Sequence, residues 1–236
     1  MNSPPSMNSP SPPRPRSTYR HGDLHRALLD AGVELARQGG PDAVVLREAT
    51  RRAGVVPNAA YRHFESREAL LGAVRAEALV AVARAMEAEL DTVDPGLDAP
   101  ALARAGVRAV GTGYLRFAQA ETGLFRTAFS RRAETAGANA ETGADGGAAL
   151  ERIAVAGCAD DADAGPHPFA LLGAALDRLV EAGVMPAPRR PGAEYLAWSA
   201  VHGMALLVIE GPLRGRPQPE IDALGQRLLD MVEQGL

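Results

Sequence analysis

The sequence predicts an all-α protein. Apolar residues recur at three- and four-residue spacing along most of the chain, which is the period of one face of a helix. Glycine- and proline-containing breaks cut these stripes into lengths that suit helices. No stretch alternates apolar and polar residues with the period of two that a half-buried strand needs.

The elements follow in order. Residues 1–18 are rich in Pro and Ser and offer nothing to bury, so a disordered arm is expected. A first helix from about Gly22 to Arg37 carries Leu24, Leu28, Ala31 and Leu35 on one stripe, and Gly39-Gly40-Pro41 stops it. Two short helices follow, at about Leu46–Arg52 and Pro57–Phe64, with Ala53-Gly54-Val55 turning between them. Ser66 is a fitting N-cap for the next helix, and Glu68 lies in its first turn near the positive end of the dipole. That helix reaches about Leu90 on a face of Leu71, Val74, Ala78, Ala81 and Ala85.

Asp94-Pro95-Gly96 breaks the pattern. Val107, Val110, Tyr114 and Phe117 then stripe a helix from about Pro100 to Ala120, and Gly123–Phe129 reads as a short helix with two aromatics. Residues 131–165 are rich in Ala, Gly and Asp and poor in large apolar groups, so most of this stretch reads as a loop, with one helical turn near Leu150–Val155. Three helices close the chain. The first is striped by Phe169, Leu172, Leu176 and Leu179 and ends at Gly183 and Pro186. The second, 192–210, is mostly apolar and stops at Gly211-Pro212. The last has Pro217 in its first turn and a stripe of Ile221, Leu224, Leu228 and Met231.

The chain has 236 residues and a net charge of -4, which by itself argues against nucleic acid. The distribution is uneven. From Arg14 to Arg75 there are 11 Arg against 7 acidic residues, while the rest of the chain is acidic. A basic N-terminal third on an acidic body suggests a local nucleic-acid face. All 25 basic residues are arginine, a side chain able to fork onto phosphate or guanine. Cys158 is the only cysteine, so no intramolecular disulfide forms and a reducing cytoplasm is expected. No apolar run approaches membrane-spanning length.

The segment from Leu46 to Leu71 suits a helix-turn-helix, in which the second helix offers its N-terminal residues to the major groove. Gly54 supplies the turn, Ala49 and Ala53 permit close approach, and Tyr61 and Phe64 anchor the second helix. Ala53-Gly54-Val55, Tyr61-Arg62-His63-Phe64 and Ser66-Arg67-Glu68-Ala69-Leu70-Leu71 resemble the signature of the TetR family of transcriptional regulators. Tyr19-Arg20-His21-Gly22-Asp23-Leu24 resembles the start of one subfamily, named for a Trp-His-Gly pattern in its C-terminal domain. Trp198, His202 and Gly203 stand close to that pattern here.

The resemblance implies a three-helix DNA-binding domain at 19–65 and a helical effector-binding and dimerisation domain at 66–236, about nine helices in all. It implies a homodimeric repressor released from double-stranded operator DNA by a small molecule, with no catalytic role and no cofactor. By position, Arg47 matches a residue that reaches a base or phosphate. Pro57, Asn58, Ala59 and Tyr61 match positions facing the major groove, and Arg62, His63 and Arg67 match phosphate contacts. Arg14, Arg16 and Arg20 are candidates for the minor groove or backbone. Read without the family, Tyr61 and Phe64 are open to being core anchors only, a reading favoured for Phe64, Arg51 and Arg52 are a solvated helix face, and His63 is open between a phosphate contact and a local hydrogen bond. The chain departs from the family at Val45 and Val56, where a hydroxyl residue is common. Each departure removes an N-cap, whose loss costs ~1 kcal/mol. They motivate a second reading, a small-molecule-binding helical protein with a decayed DNA-binding head.

In the C-terminal domain the candidates for lining an effector pocket are Met86, Val110, Tyr114, Phe117, Phe125, Phe129, Phe169, Leu172, Leu176 and Trp198. Each is equally a core residue. His202 shares a helical face with Trp198 and is open between orienting an effector and holding a neighbouring helix. The helix at 192–210 carries small residues, including Ala197, Ala200 and Gly203, that suit close helix crossing. The stripe Ile221, Leu224, Leu228 and Met231 could pack within one subunit, and the resemblance assigns it with Ala200 and Gly203 to the dimer interface. No Cys, His and acidic cluster has metal-ligand spacing, and no nucleophile motif or glycine-rich phosphate loop stands out.

Overall fold

A computed structural model describes residues 21–130 and 167–235. The N-terminal arm, the 131–165 loop, Arg14, Arg16, Arg20 and Cys158 lie outside the described residues. Among those described, the chain is helical, without strands.

Helix α1 spans His21–Gly39 and buries Leu28, Leu29, Leu35 and Ala36. It ends where Gly40 takes φ 72°, a conformation open to glycine and costly to other residues. A 3₁₀ turn, Pro41–Ala43, leads to α2, Leu46–Ala53, which buries Leu46, Ala49 and Thr50. Gly54 caps α2 in the left-handed region at φ 68°, its N–H donating to the carbonyls of Thr50 and Arg51. Helix α3 is regular only over Pro57–Ala60. The expected recognition helix to Phe64 instead finishes as a turn, in which the N–H groups of His63 and Phe64 both donate to the Ala60 carbonyl.

Helix α4, Arg67–Leu90, starts at Ser66, whose Oγ accepts from the Ala69 N–H at 3.1 Å. Its buried residues are Leu70, Val74, Ala78, Leu79, Val82, Ala83 and Met86. Leu71, Ala81 and Ala85 of the expected stripe are only partly buried. The core face is turned from the expected one because α4 packs on α1 and on three later helices at once.

Helix α5, Ala99–Ala120, is capped by Asp98, whose Oδ1 accepts from Ala101 at 2.8 Å. It is followed directly by α6, Thr122–Ala128. Beyond residue 166 come α7, Pro168–Glu181, α8, Ala193–Ile209, and α9, Gln218–Gly235. Helix α5 is the central element and packs against α4, α6, α7, α8 and α9. A continuous apolar core runs from Leu28 in α1 to Val232 in α9, so the small N-terminal head and the larger helical body are built on one core.

Candidate nucleic-acid interface and effector core

The head is assembled around two buried anchors. Phe64 is 4 % exposed and stacks on His25 of α1 with ring centroids 4.7 Å apart. Ala60 is fully buried beneath the turn. Phe64 is therefore a core residue, while His63 is half-buried, 6.1 Å from the His25 ring.

Anchoring from below leaves the upper residues outward. Arg47, Asn58, Tyr61 and Arg62 are exposed, and Ala59 is half-buried. Among the described residues, neither Arg47 nor Arg62 is in an ion pair. Arg51 and Arg52 differ, because both bind Glu48 and Arg52 also donates to Gln38. The hydrogen bond from Arg51 first, and that from Arg52, hold the Glu48 carboxyl down to about 2. The solvated-face reading of these two arginines agrees with that geometry.

Arg67, expected at a phosphate, is bonded to the backbone of its own head. Its Nε donates to the Val44 carbonyl at 2.8 Å and its Nη2 to the Pro41 carbonyl at 2.8 Å. These are carbonyls of the α1–α2 connection, so the guanidinium clamps that connection to the start of α4. The side chain is half-buried and faces its own backbone. Val45 and Val56 stand at the N-caps of α2 and α3 with no side-chain cap bond, as their lack of an acceptor requires.

In the body, six of the effector candidates converge. Tyr114, Phe125, Phe129, Trp198 and His202 form a ring cluster with centroid separations between 4.9 and 6.3 Å, and Phe169 joins through Trp198. Its polar centre is a 2.7 Å hydrogen bond between the Tyr114 hydroxyl and His202 Nδ1. Burial pushes the Tyr114 pKa well up and the His202 pKa down, so both are neutral there near pH 7. Met86, Val110, Phe117, Leu172 and Leu176 are buried core residues outside this ring cluster. The rings pack on one another. A cavity of about 140 Å³ in the body lies elsewhere, between α5, α8 and α9, and is lined by Leu115, Gln119, Met204 and Ile221 among others.

Helix α6 joins the cluster to the head. Phe125 lies in α6 and Phe129 follows it. On the opposite side, Gly123 lies so close to α1 that an added Cβ would sit 2.3 Å from the Ala36 carbonyl oxygen and 2.4 Å from that of Arg37. Arg37 Nε donates to Glu121 at 2.8 Å, and Arg75 of α4 donates to the Ala128 carbonyl at 3.2 Å. Sequence reasoning missed this junction. The available signal was a glycine within a predicted helix, which often marks close packing.

The stripe assigned to a dimer interface divides. Ile221 is buried within its own subunit beside Gly225, Leu229 and Val232. Ile221 therefore does not belong with the interface stripe, a correction that follows because the inward face of α9 runs 221, 225, 229, 232. Leu224 and Met231 are exposed and Leu228 is half-buried. Leu196 and Leu207 of α8, the other of the fold's last two helices, are exposed as well. Ala200 is half-buried, and a Cβ on Gly203 would meet nothing within 4 Å, so Gly203 makes no close crossing among the described residues.

No helix among the described residues is long and apolar enough to cross a membrane. Residues 28–74 match the model of bacterial regulatory proteins of the tetR family, and residues 107–232 match the tetracyclin repressor-like C-terminal domain. No curated protein matches the chain in sequence. Among solved structures, a protein of unknown function from Rhodococcus sp. RHA1 is 24% identical, with a TM-score of 0.68, covering 94% of this chain and 99% of that one. The transcriptional regulator FadR from Bacillus subtilis, in complex with stearoyl-CoA, is 13% identical with a TM-score of 0.60, covering 90% and 99%. PfmR from Thermus thermophilus, a TetR-family transcriptional regulator, is 18% identical with a TM-score of 0.53, covering 89% and 98%. The family models span the head and most of the body, and with that fold the chain belongs to the TetR family of transcriptional regulators.

Proposed function

We propose that this DNA-binding regulator is a homodimeric repressor, released from its operator by a small molecule that enters the ring cluster. The observation that carries the DNA-reading part is the exposed set Arg47, Asn58, Tyr61 and Arg62 above a buried Phe64 that stacks on His25. Arginine forks onto guanine or phosphate, and Asn pairs with adenine. Pro57 and Ala59 belong to the same groove-facing segment, and His63 borders it. Arg67 serves as a positioning residue that holds the segment.

Residues 19–65 act as the reading head and 66–236 as the effector and dimer body. An effector with a large apolar part suits the cluster of Tyr114, Phe125, Phe129, Phe169 and Trp198, with the Tyr114–His202 pair as its polar contact. Because the rings are packed, an incoming ligand must part them, and Phe125 and Phe129 would carry that movement into α6 and, through Gly123, into α1. The outward face of Leu224, Leu228 and Met231 with Ala200 and Gly203 serves as the subunit contact, in a four-helix arrangement.

The uncapped starts at Val45 and Val56 favour one rival, a ligand-binding protein whose head no longer reads DNA. Selection from a random duplex pool separates the two. A dimeric reader enriches a near-palindrome with half-sites one or more turns apart, ~34–36 Å or a multiple. A pool without symmetric enrichment at moderate salt decides for the rival.

A further inference from the structure

We propose that Val56 is a specificity-determining residue that reads a thymine 5-methyl group in the major groove. The inference rests on the head being a duplex-DNA reader, and it names one base feature of the operator.

Val56 is 69 % exposed. A single exposed valine is ordinary on a protein surface, so its place decides. It stands at the N-cap of α3, immediately ahead of Pro57. The backbone there is extended, φ -74° and ψ 142°, as a residue preceding proline requires. Ser, Thr or Asp would adopt the same backbone and cap the helix as well. Valine gives up the cap and finds no burial in return. No contact among the described residues explains its choice.

The surroundings point to an occupant. Asn58, Tyr61, Arg47 and Arg62 are exposed on the same helix-turn-helix, and Glu48 is neutralised by Arg51 and Arg52. The segment thus presents cations and amide donors suited to a polyanion, with one branched apolar group at the start of the recognition element. The start of that element is the part that meets base edges. Duplex DNA displays one apolar group in the major groove, the thymine C5-methyl. Valine has no donor or acceptor for phosphate or for the other base edges, so methyl contact is the recognition open to it.

The test uses the full-length protein and the duplex selected from a random pool. Each thymine of a half-site is replaced in turn by deoxyuridine, which keeps base pairing and removes only the methyl. At one position per half-site, wild-type affinity should fall about fourfold, the worth of one buried methyl-sized group. Val56→Ala should bind the parent duplex more weakly and be indifferent to deoxyuridine at that position. It should remain as sensitive as wild type at every other thymine. The inference is overturned if wild type and Val56→Ala respond alike at every thymine, or if the selected half-sites lack thymine. A pool that enriches no sequence overturns the DNA-reading head itself, and the Val56 assignment falls with it.

Discussion

Arg47 and Arg67 lie on one head yet face different partners. Arg47 is exposed, whereas Arg67 is bonded to the Pro41 and Val44 carbonyls. Arg47→Ala should therefore leave the melting temperature nearly unchanged and weaken operator binding by ~1–3 kcal/mol if it reads a base. Arg67→Ala should lower stability by about 2 kcal/mol, since hydrogen bonds to a charged donor are among the stronger ones. Thermal unfolding beside operator titration checks the contrast, and equal stability of the two variants would show that the clamp is idle. His202 makes a second residue-scale case. Burial depresses its pKa, so the unfolded chain takes up the proton first as pH falls. Stability contributed by the neutral His202 is present above the unfolded value of ~6.5 and is lost as pH drops toward the depressed folded value. Wild type should lose more stability than His202→Gln between pH 7 and 5, measured by denaturant unfolding at each pH.

At the scale of elements, α6 is the junction. One side holds Phe125 within the ring cluster and the other presses Gly123 against the end of α1. A methyl at 123 would meet backbone carbonyls, which cannot swing aside as a side chain can. Gly123→Ala should cost about 1–3 kcal/mol as an overpacked contact, and the displaced α1 should also weaken operator binding. A variant as stable as wild type, with unchanged operator affinity, would show that α6 and α1 are not mechanically joined. The Arg37–Glu121 salt bridge beside this contact adds little, because both side chains remain partly exposed.

For the whole molecule, the outward face of α8 and α9 is an apolar face left uncovered among the described residues. Met231 is 59 % exposed, so Met231→Arg leaves the subunit core intact while placing a charge in any apolar contact between copies. The variant should sediment as a monomer, keep its melting cooperativity, and lose most operator affinity because the half-sites are no longer bound together. A dimer that survives Met231→Arg and Leu224→Arg together would move the subunit contact to another face.

The helix order, the Gly54 turn and the Ser66 cap were legible in the sequence because each depends on residues a few positions apart. The same holds for the missing caps at Val45 and Val56, where the side chain either has an acceptor or does not. The family motifs likewise identified the head and the order of the body. The sequence did not reveal that α3 closes as a turn after Ala60, since the pull of Phe64 onto His25 arises from α1. Nor did it reveal which side of α9 faces inward. A helical stripe specifies a spacing and leaves open which neighbour covers it, so Ile221 and Met231 look alike until α5 and α8 are in place. The partners of Arg67 stand 23 and 26 residues away, and the Gly123 contact joins α6 to α1. Those pairings exist only once the chain has closed its loops around one core, and for that reason the tertiary structure alone decided them.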